Sequence, residues 1–171
     1  MVAAEISRME REITSCSRQY SVALVRTHQE RDAVFAIRIA VFVEEQAVPI
    51  EEELDAYDVV ATHFCVRLTD GDPTEQADIV ATARMVDKGE GIGKIGRVAV
   101  LKPWRGAGIG SLLMSHIERH AIENGFVSVI LEAQCNAMPF YEKLGYTAEG
   151  DVYLDANIEH RWMSKRICPL P

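Results

Sequence analysis

The chain has 171 residues, enough for one domain with a sizeable core. Its 48% hydrophobic and 26% charged residues are the proportions of a globular protein. The formal net charge of −8 leaves no basic cluster to track a phosphate backbone, which argues against nucleic acid as a partner and weakly favours cationic small molecules.

Residues 1–19 are mixed polar and are expected to form a helix or a loose extension ahead of a domain at 20–171. Charges run through MVAAEISRMEREITSCS, so no signal peptide is expected. YSVALVRT (20–27) alternates and reads as a strand. HQERDAVFAIRIAVFVEEQ (28–46) carries Val34, Ile37 and Val41 at helical spacing and reads as one helix. Its apolar run is short and contains Arg38, so it cannot span a bilayer, and no membrane association is expected. AVPIEEELDAYDVV (47–60) is an acidic, proline-containing loop with room for one helical turn. THFCVRLTD places Phe64, Val66 and Leu68 on one strand face and His63, Cys65 and Arg67 on the other. DGDP (70–73) is a turn, and ADIVATARMVDKG and KIGRVAVLK are two more strands.

A helix is expected from Ile109 to about Glu123. Its apolar stripe is Ile109, Leu112, Leu113, Ile117 and Ala121, and Asn124-Gly125 ends it. VSVILEA is continuously apolar and reads as a strand buried on both faces. AMPFYEKLG is a short helix, and YTAEGDVYL and EHRWMSKRI are closing strands. The order is β-α-β-β-β-α-β-α-β-β, without repeats or linkers. Cys16, Cys65, Cys135 and Cys168 form no C-x-x-C pair, which fits a reducing, cytoplasmic setting without structural zinc or a disulfide framework.

Three glycines in five residues, Gly106, Gly108 and Gly110, follow Arg105 and open the helix at Ile109. A strand, a glycine turn and a helix N-terminus together form an anion site, because first-turn N–H groups lack helical partners and the helix dipole favours negative charge there. The P-loop pattern fails because no lysine follows Gly110, and GEGIGK (89–94) fails because Lys88 stands where the first glycine belongs. The dinucleotide pattern fails because position 111 is serine.

The string Arg105-Gly106-Ala107-Gly108-Ile109-Gly110 resembles the [Q/R]-x-x-G-x-[G/A] signature of the GNAT N-acetyltransferase superfamily. RVAV upstream, FYEKLGY (140–146) downstream and the element order extend that resemblance over nearly the whole chain. Gln134 and the stretch RIAVFVEEQAVPIEEELDAYDVVATH resemble the ElaA- and YjcF-like acetyltransferase subgroup. The resemblance implies the GNAT fold: an α/β domain whose mixed, mostly antiparallel central sheet is splayed between its fourth and fifth strands and flanked by helices. It implies an acetyl-CoA-dependent N-acetyltransferase acting by direct transfer to a primary amine of a small molecule or peptide. A non-catalytic acyl-CoA-binding or sensor domain is the alternative.

Carried onto this sequence, the resemblance places the coenzyme A diphosphate on Arg105, Gly106, Ala107, Gly108, Ile109, Gly110 and Ser111. The pantetheine arm lies along Val98, Ala99 and Val100, with a main-chain N–H near Val98 or Val100 polarising the thioester carbonyl. Tyr141 stands at the family's tyrosine, either as general acid to the leaving thiolate or as a packing residue. Where the family commonly has asparagine this chain has Gln134, with Asn136 two residues on, and either amide could meet the pantetheine.

The acceptor, expected to be a cationic amine, would use the acidic segment after the first helix, with Glu45 and Glu51 as candidates, and Glu132. His63 and His160 are the candidate bases, because imidazole titrates near neutrality. His116 and His120 form HIERH, which lacks the H-E-x-x-H spacing and reads as core or edge packing, so no metal is expected. Cys135 reads as a small buried residue before an acyl carrier, and Trp104 could stack on adenine or pack the turn. A monomer or a homodimer is expected.

Overall fold

The computed structural model describes residues 20–69 and 78–167. The 1–19 extension, the 70–73 turn, Cys16 and Cys168 lie outside the described residues. Seven strands, β1 (Tyr20–Leu24), β2 (Thr62–Leu68), β3 (Ile79–Asp87), β4 (Ile92–Val100), β5 (Ser128–Gln134), β6 (Thr147–Asp155) and β7 (Ile158–Arg166), form one sheet in the order β1-β2-β3-β4-β5-β7-β6. Among these strands only β4 and β5 pair in parallel. This is the mixed, mostly antiparallel α/β architecture expected. No helix among the described residues is long and apolar enough to cross a membrane.

Helix α1 (His28–Arg38) starts at a capping box. Thr27 Oγ1 accepts from the Glu30 amide at 3.1 Å, and Glu30 accepts from the Thr27 amide at 2.9 Å. The single helix expected to residue 46 instead widens into a π-helical segment, Ile39–Glu44, followed by the one-turn helix α2 (Ile50–Glu53). The wide turn delivers Phe42 and Gln46 to the cleft described below. Helix α1 packs Ala33, Val34 and Ile37 on one sheet face, against Cys65, Ile79 and Ala99.

On the opposite face lies α3 (Ile109–Glu123). It buries Ile109, Leu113, Met114, Ile117 and Ala121 against Phe64, Val66 and Val80. Each large side chain so buried contributes about 1.5–3 kcal/mol. Leu112, expected in this stripe, is 40% exposed, and Met114 takes its place in the core. The cause is the helix's roll: the stripe centres on Leu113 and Ile117, which puts Leu112 on its flank. Strand β5 corrects a second expectation. Val129, Leu131 and Ala133 are buried, but Ser128, Ile130, Glu132 and Gln134 on the other face are only half-buried. Helix α1 covers the β2–β4 half of that face and stops short of β5.

Beneath α1 lies a buried charge network. Arg38, 1% exposed, donates from Nε to Glu53 at 2.6 Å and from Nη1 to Asp58 at 2.7 Å. Its Nη2 donates to the Glu53 carbonyl at 2.6 Å. Arg84 on β3 bridges Asp55 and Asp58, both at 2.6 Å. Arg97 on β4 reaches the carbonyls of Glu52 and Glu53 at 2.8 and 3.1 Å, and Asp55 at 3.2 Å. These contacts clamp the acidic segment 50–58 onto the sheet, where its edge borders the cleft.

Candidate active site

Strand β4 carries the first device of the site. Its register against β3 slips between Thr82 and Arg84, and Arg97 sits in the left-handed region at φ 55°. The extra residue is a β-bulge, which bends β4 away from its neighbour. Pairing of β4 with β5 runs from Ile92↔Ser128 to Ile95↔Leu131 and stops there, although β4 continues to Val100 and β5 to Gln134. The backbone of 96–100 therefore presents an edge to open space. That space is a cleft of about 650 Å³ lined by Gly96, Val98, Ala99 and Val100 on one side and by Leu131, Glu132, Gln134 and Asn136 on the other.

The glycine turn closes one end of the cleft. Gly106 and Gly108 have φ of 79° and 78°, and a Cβ at either would meet nothing within 4 Å. Both satisfy the turn's left-handed backbone, and both leave the space before it clear. Gly108 is the N-cap of α3 with no side-chain capping bond, so the first-turn N–H groups face that space. Gly110 serves a different need. A Cβ there would come within 3.1 Å of Phe140 on α4 (Met138–Lys143), so its absence allows close helix packing.

Arg105 is anchored by a bond from Nε to the Val100 carbonyl at 2.9 Å, and its Nη atoms pair with Glu45 at 2.9 and 3.0 Å. That pairing moves Glu45 away from the expected acceptor wall and onto the turn. The arginine's fork matches a carboxylate as it would a phosphate. Glu51 is likewise corrected: it is exposed and does not line the cleft, whereas Glu52 and Glu53 do.

Tyr141, on α4, lines the cleft and is buried, which pushes its phenol up to about 12. Its ring meets Phe140 and Tyr146 edge-on. Both amides left open by the sequence, Gln134 and Asn136, line the cleft, and Gln134 donates to Gln46 at 2.7 Å. Trp104 also lines it, with its ring edge-on to Tyr20 at 6.4 Å. Cys135 is half-buried rather than buried and lies outside the lining. His116 and His120 pack edge-on against Phe64. Among the described residues no group of His, Cys, Asp and Glu is placed to hold a metal.

The two candidate bases separate. His63 is buried on the α1 side of β2, where Nε2 lies 2.9 Å from the Asp58 carbonyl and the ring meets Phe35. It does not reach the cleft, because the 3₁₀ turn Ala56–Val59 and α1 cover that face of β2. Burial pushes its pKa down, which the Asp58 contacts only partly offset. His160 on β7 does line the cleft. Its Nδ1 lies 2.8 Å from the Ile158 carbonyl, and its ring stacks on Tyr153.

Beside it, Glu132 is held by Lys94 and by the Tyr153 hydroxyl, which donates at 2.8 Å. Burial would raise the Glu132 carboxyl, but these bonds outweigh it and hold the group below the usual range. It is a fixed anion rather than a proton acceptor. Sequence reasoning missed Tyr153, Lys94, Gly96 and Arg97. Two of them carried a signal: Arg97 is a charge inside an apolar strand, and Gly96 a glycine within it.

Residues 73–167 match the family described as Acetyltransferase (GNAT) domain. Over 143 residues, 83% of this chain and 96% of the relative, the sequence is 38% identical to the uncharacterized N-acetyltransferase YjcF of Bacillus subtilis. The fold is similar to an acyl-CoA N-acyltransferase from Pseudomonas aeruginosa, with a TM-score of 0.72 and 28% identity over 87% of this chain and 99% of the other. It is also similar to Escherichia coli ElaA, with a TM-score of 0.72, 25% identity and the same coverage.

Proposed function

This chain belongs to the GNAT acetyltransferase family, and on that basis we propose that it transfers an acetyl group from acetyl-CoA directly to a primary amine of a small molecule or peptide. We assign this activity to one domain spanning 20–171, behind an extension at 1–19, working in the cytoplasm. The membership itself makes the chain an acyl-CoA-dependent acyltransferase. The observation that carries the finer reading is the early end of β4–β5 pairing, which leaves an unpaired strand edge running up to a glycine turn with clear space before it.

The residues present fit the coenzyme. The N–H groups of Ile109, Gly110 and Ser111, with Arg105 and the open backbone at Gly106, Ala107 and Gly108, would hold its diphosphate. The edge at Val98, Ala99 and Val100 would bond the pantetheine amides as an added strand does, with Gln134 and Asn136 across the gap. When bound, acetyl-CoA supplies a thioester carbonyl open to attack by an amine. An N–H of Val98 or Val100 would donate to that carbonyl oxygen.

Glu132 would attract the acceptor as an ammonium ion. His160 would then take its proton, because nitrogen attacks only through a free lone pair. Tyr141, still carrying its proton at neutral pH, would donate toward the departing sulfur. His63 has no part in this reading. A screen of primary amines with acetyl-CoA, following release of free thiol, tests the proposal. Tight coenzyme binding with no thiol released for any amine would favour a binding domain instead.

A further inference from the structure

A second pocket, of about 240 Å³, opens beside the cleft on the α1 face of the sheet. It shares Gly96, Arg97, Glu132, Asp155 and His160 with the cleft, so the two are continuous where β4 and β5 part. Where the two join stand Glu132, with the Lys94 ammonium paired to it, Asp155 and the His160 imidazole; the lining outside the cleft includes Lys88 and the Tyr57 ring.

Most of the cations here are already paired. Lys94 is bound to Glu132, and Arg84 and Arg97 are spent within the network of Glu53, Asp55 and Asp58. Lys88 differs. Its ammonium stands 5.2 Å from the centre of the Tyr57 ring, and among the described residues it makes no ion pair.

Gly96 supplies an independent observation. It lies within β4 without a positive φ, so its backbone does not require glycine. A glycine inside a strand weakens it and often marks the close approach of a ligand. A Cβ at position 96 would meet nothing within 4 Å. Arg84 is its cross-strand partner and Lys94 lies two residues before it, so that empty volume is the pocket's floor.

We infer that the acceptor is a primary amine carrying an anionic group at its far end, an amino carboxylate being the simplest, bound over Gly96 with its amine at Glu132 and its anion at Lys88. This rests on the transferase reading above. A diamine would set its second ammonium against Lys88, and a simple alkylamine would leave Lys88 unmatched.

The test uses four acceptors of matched length: aminohexanoate, aminopentyl phosphate, diaminohexane and hexylamine. Both anionic amines are expected to show kcat/KM about ten-fold above the diamine, because attraction is exchanged for repulsion at one end. A gap between carboxylate and phosphate identifies the anion. Lys88→Glu should reverse the order while leaving acetyl-CoA affinity unchanged. Gly96→Ala should keep or raise the melting temperature while raising KM for every acceptor.

Equal use of all four amines, or an order that Lys88→Glu does not change, overturns the inference and leaves the transferase reading standing. Calorimetry on the coenzyme A complex separates the two claims. Binding of aminohexanoate that is lost in Lys88→Glu, without turnover, upholds the pocket and sinks the transferase. Neither binding nor turnover sinks the pocket.

Discussion

Replacing Arg38 by methionine keeps most of the side-chain volume and removes one charge from beneath α1. Three arginines (38, 84 and 97) there face three carboxylates (Glu53, Asp55 and Asp58). The variant would leave three anions to two cations, with the Glu53 side chain only 3% exposed. Breaking a buried pair on one side costs about 3–5 kcal/mol, because the remaining charge stays out of water. For a domain of this size that is a fall in melting temperature of about 6–20 °C.

Burial already pushes the Glu53 carboxyl above its ordinary value, despite Arg97 and Arg38. An acid whose pKa is raised on folding destabilises as pH rises through that folded value and is relieved below it. Losing Arg38 raises it further, so the variant's deficit should shrink from pH 8 toward pH 5. Asp58 acts in the opposite sense. Burial would raise it, but Arg38 and Arg84 bring it down to about 2 from 3.8. In the unaltered protein that difference is worth about 2 kcal/mol above pH 4, lost as pH falls toward 2.

Urea unfolding of the unaltered protein, Arg38→Met and Arg38→Met/Glu53→Gln across this pH range measures all of this. The double variant restores equal charge and should recover most of the loss near neutrality. A single-variant loss under 1 kcal/mol, or a double variant no more stable than the single, would refute the reasoning.

Gly108→Val should abolish coenzyme A binding by calorimetry in a protein that still folds, because the new side chain enters the clear space before α3; its backbone strain should cost about 1–2 kcal/mol. Unchanged affinity in the folded variant removes the basis for placing the diphosphate there. Tyr141→Phe should lower kcat by about one to three powers of ten with little change in acetyl-CoA affinity, and full turnover with a chemistry-limited amine would make Tyr141 a packing residue. His160→Ala should lower kcat by about two to four powers of ten, while His63→Ala keeps turnover and costs stability; the reverse would relocate the base.

The order of strands and helices was legible in the sequence because local pattern encodes it. Period-two alternation in 62–68 and the helical spacing from Ile109 to Ala121, with its Asn124-Gly125 stop, are properties of neighbouring residues. The glycine turn was legible for the same reason: Gly106 and Gly108 answer a backbone demand at their own positions. The lining of the smaller pocket was not legible. Its groups come from β3, β4, β5, the 55–57 segment and the β6–β7 hairpin, and nothing local states which face of each strand they share.

Glu45 and Glu51 read alike as acidic loop residues, yet the π-helical widening and α2 send one to Arg105 and the other to solvent. His63 and His160 read alike as strand histidines, and the helix laid over β2 buries one while the uncovered half of the sheet exposes the other to the cleft. Leu112 lost its place in the core to Met114 through the roll of a helix set by the sheet beneath it. A side chain's conformational preference depends on its nearest neighbours. Its company is decided by contacts between segments far apart in sequence, and those arise only when the chain closes on itself.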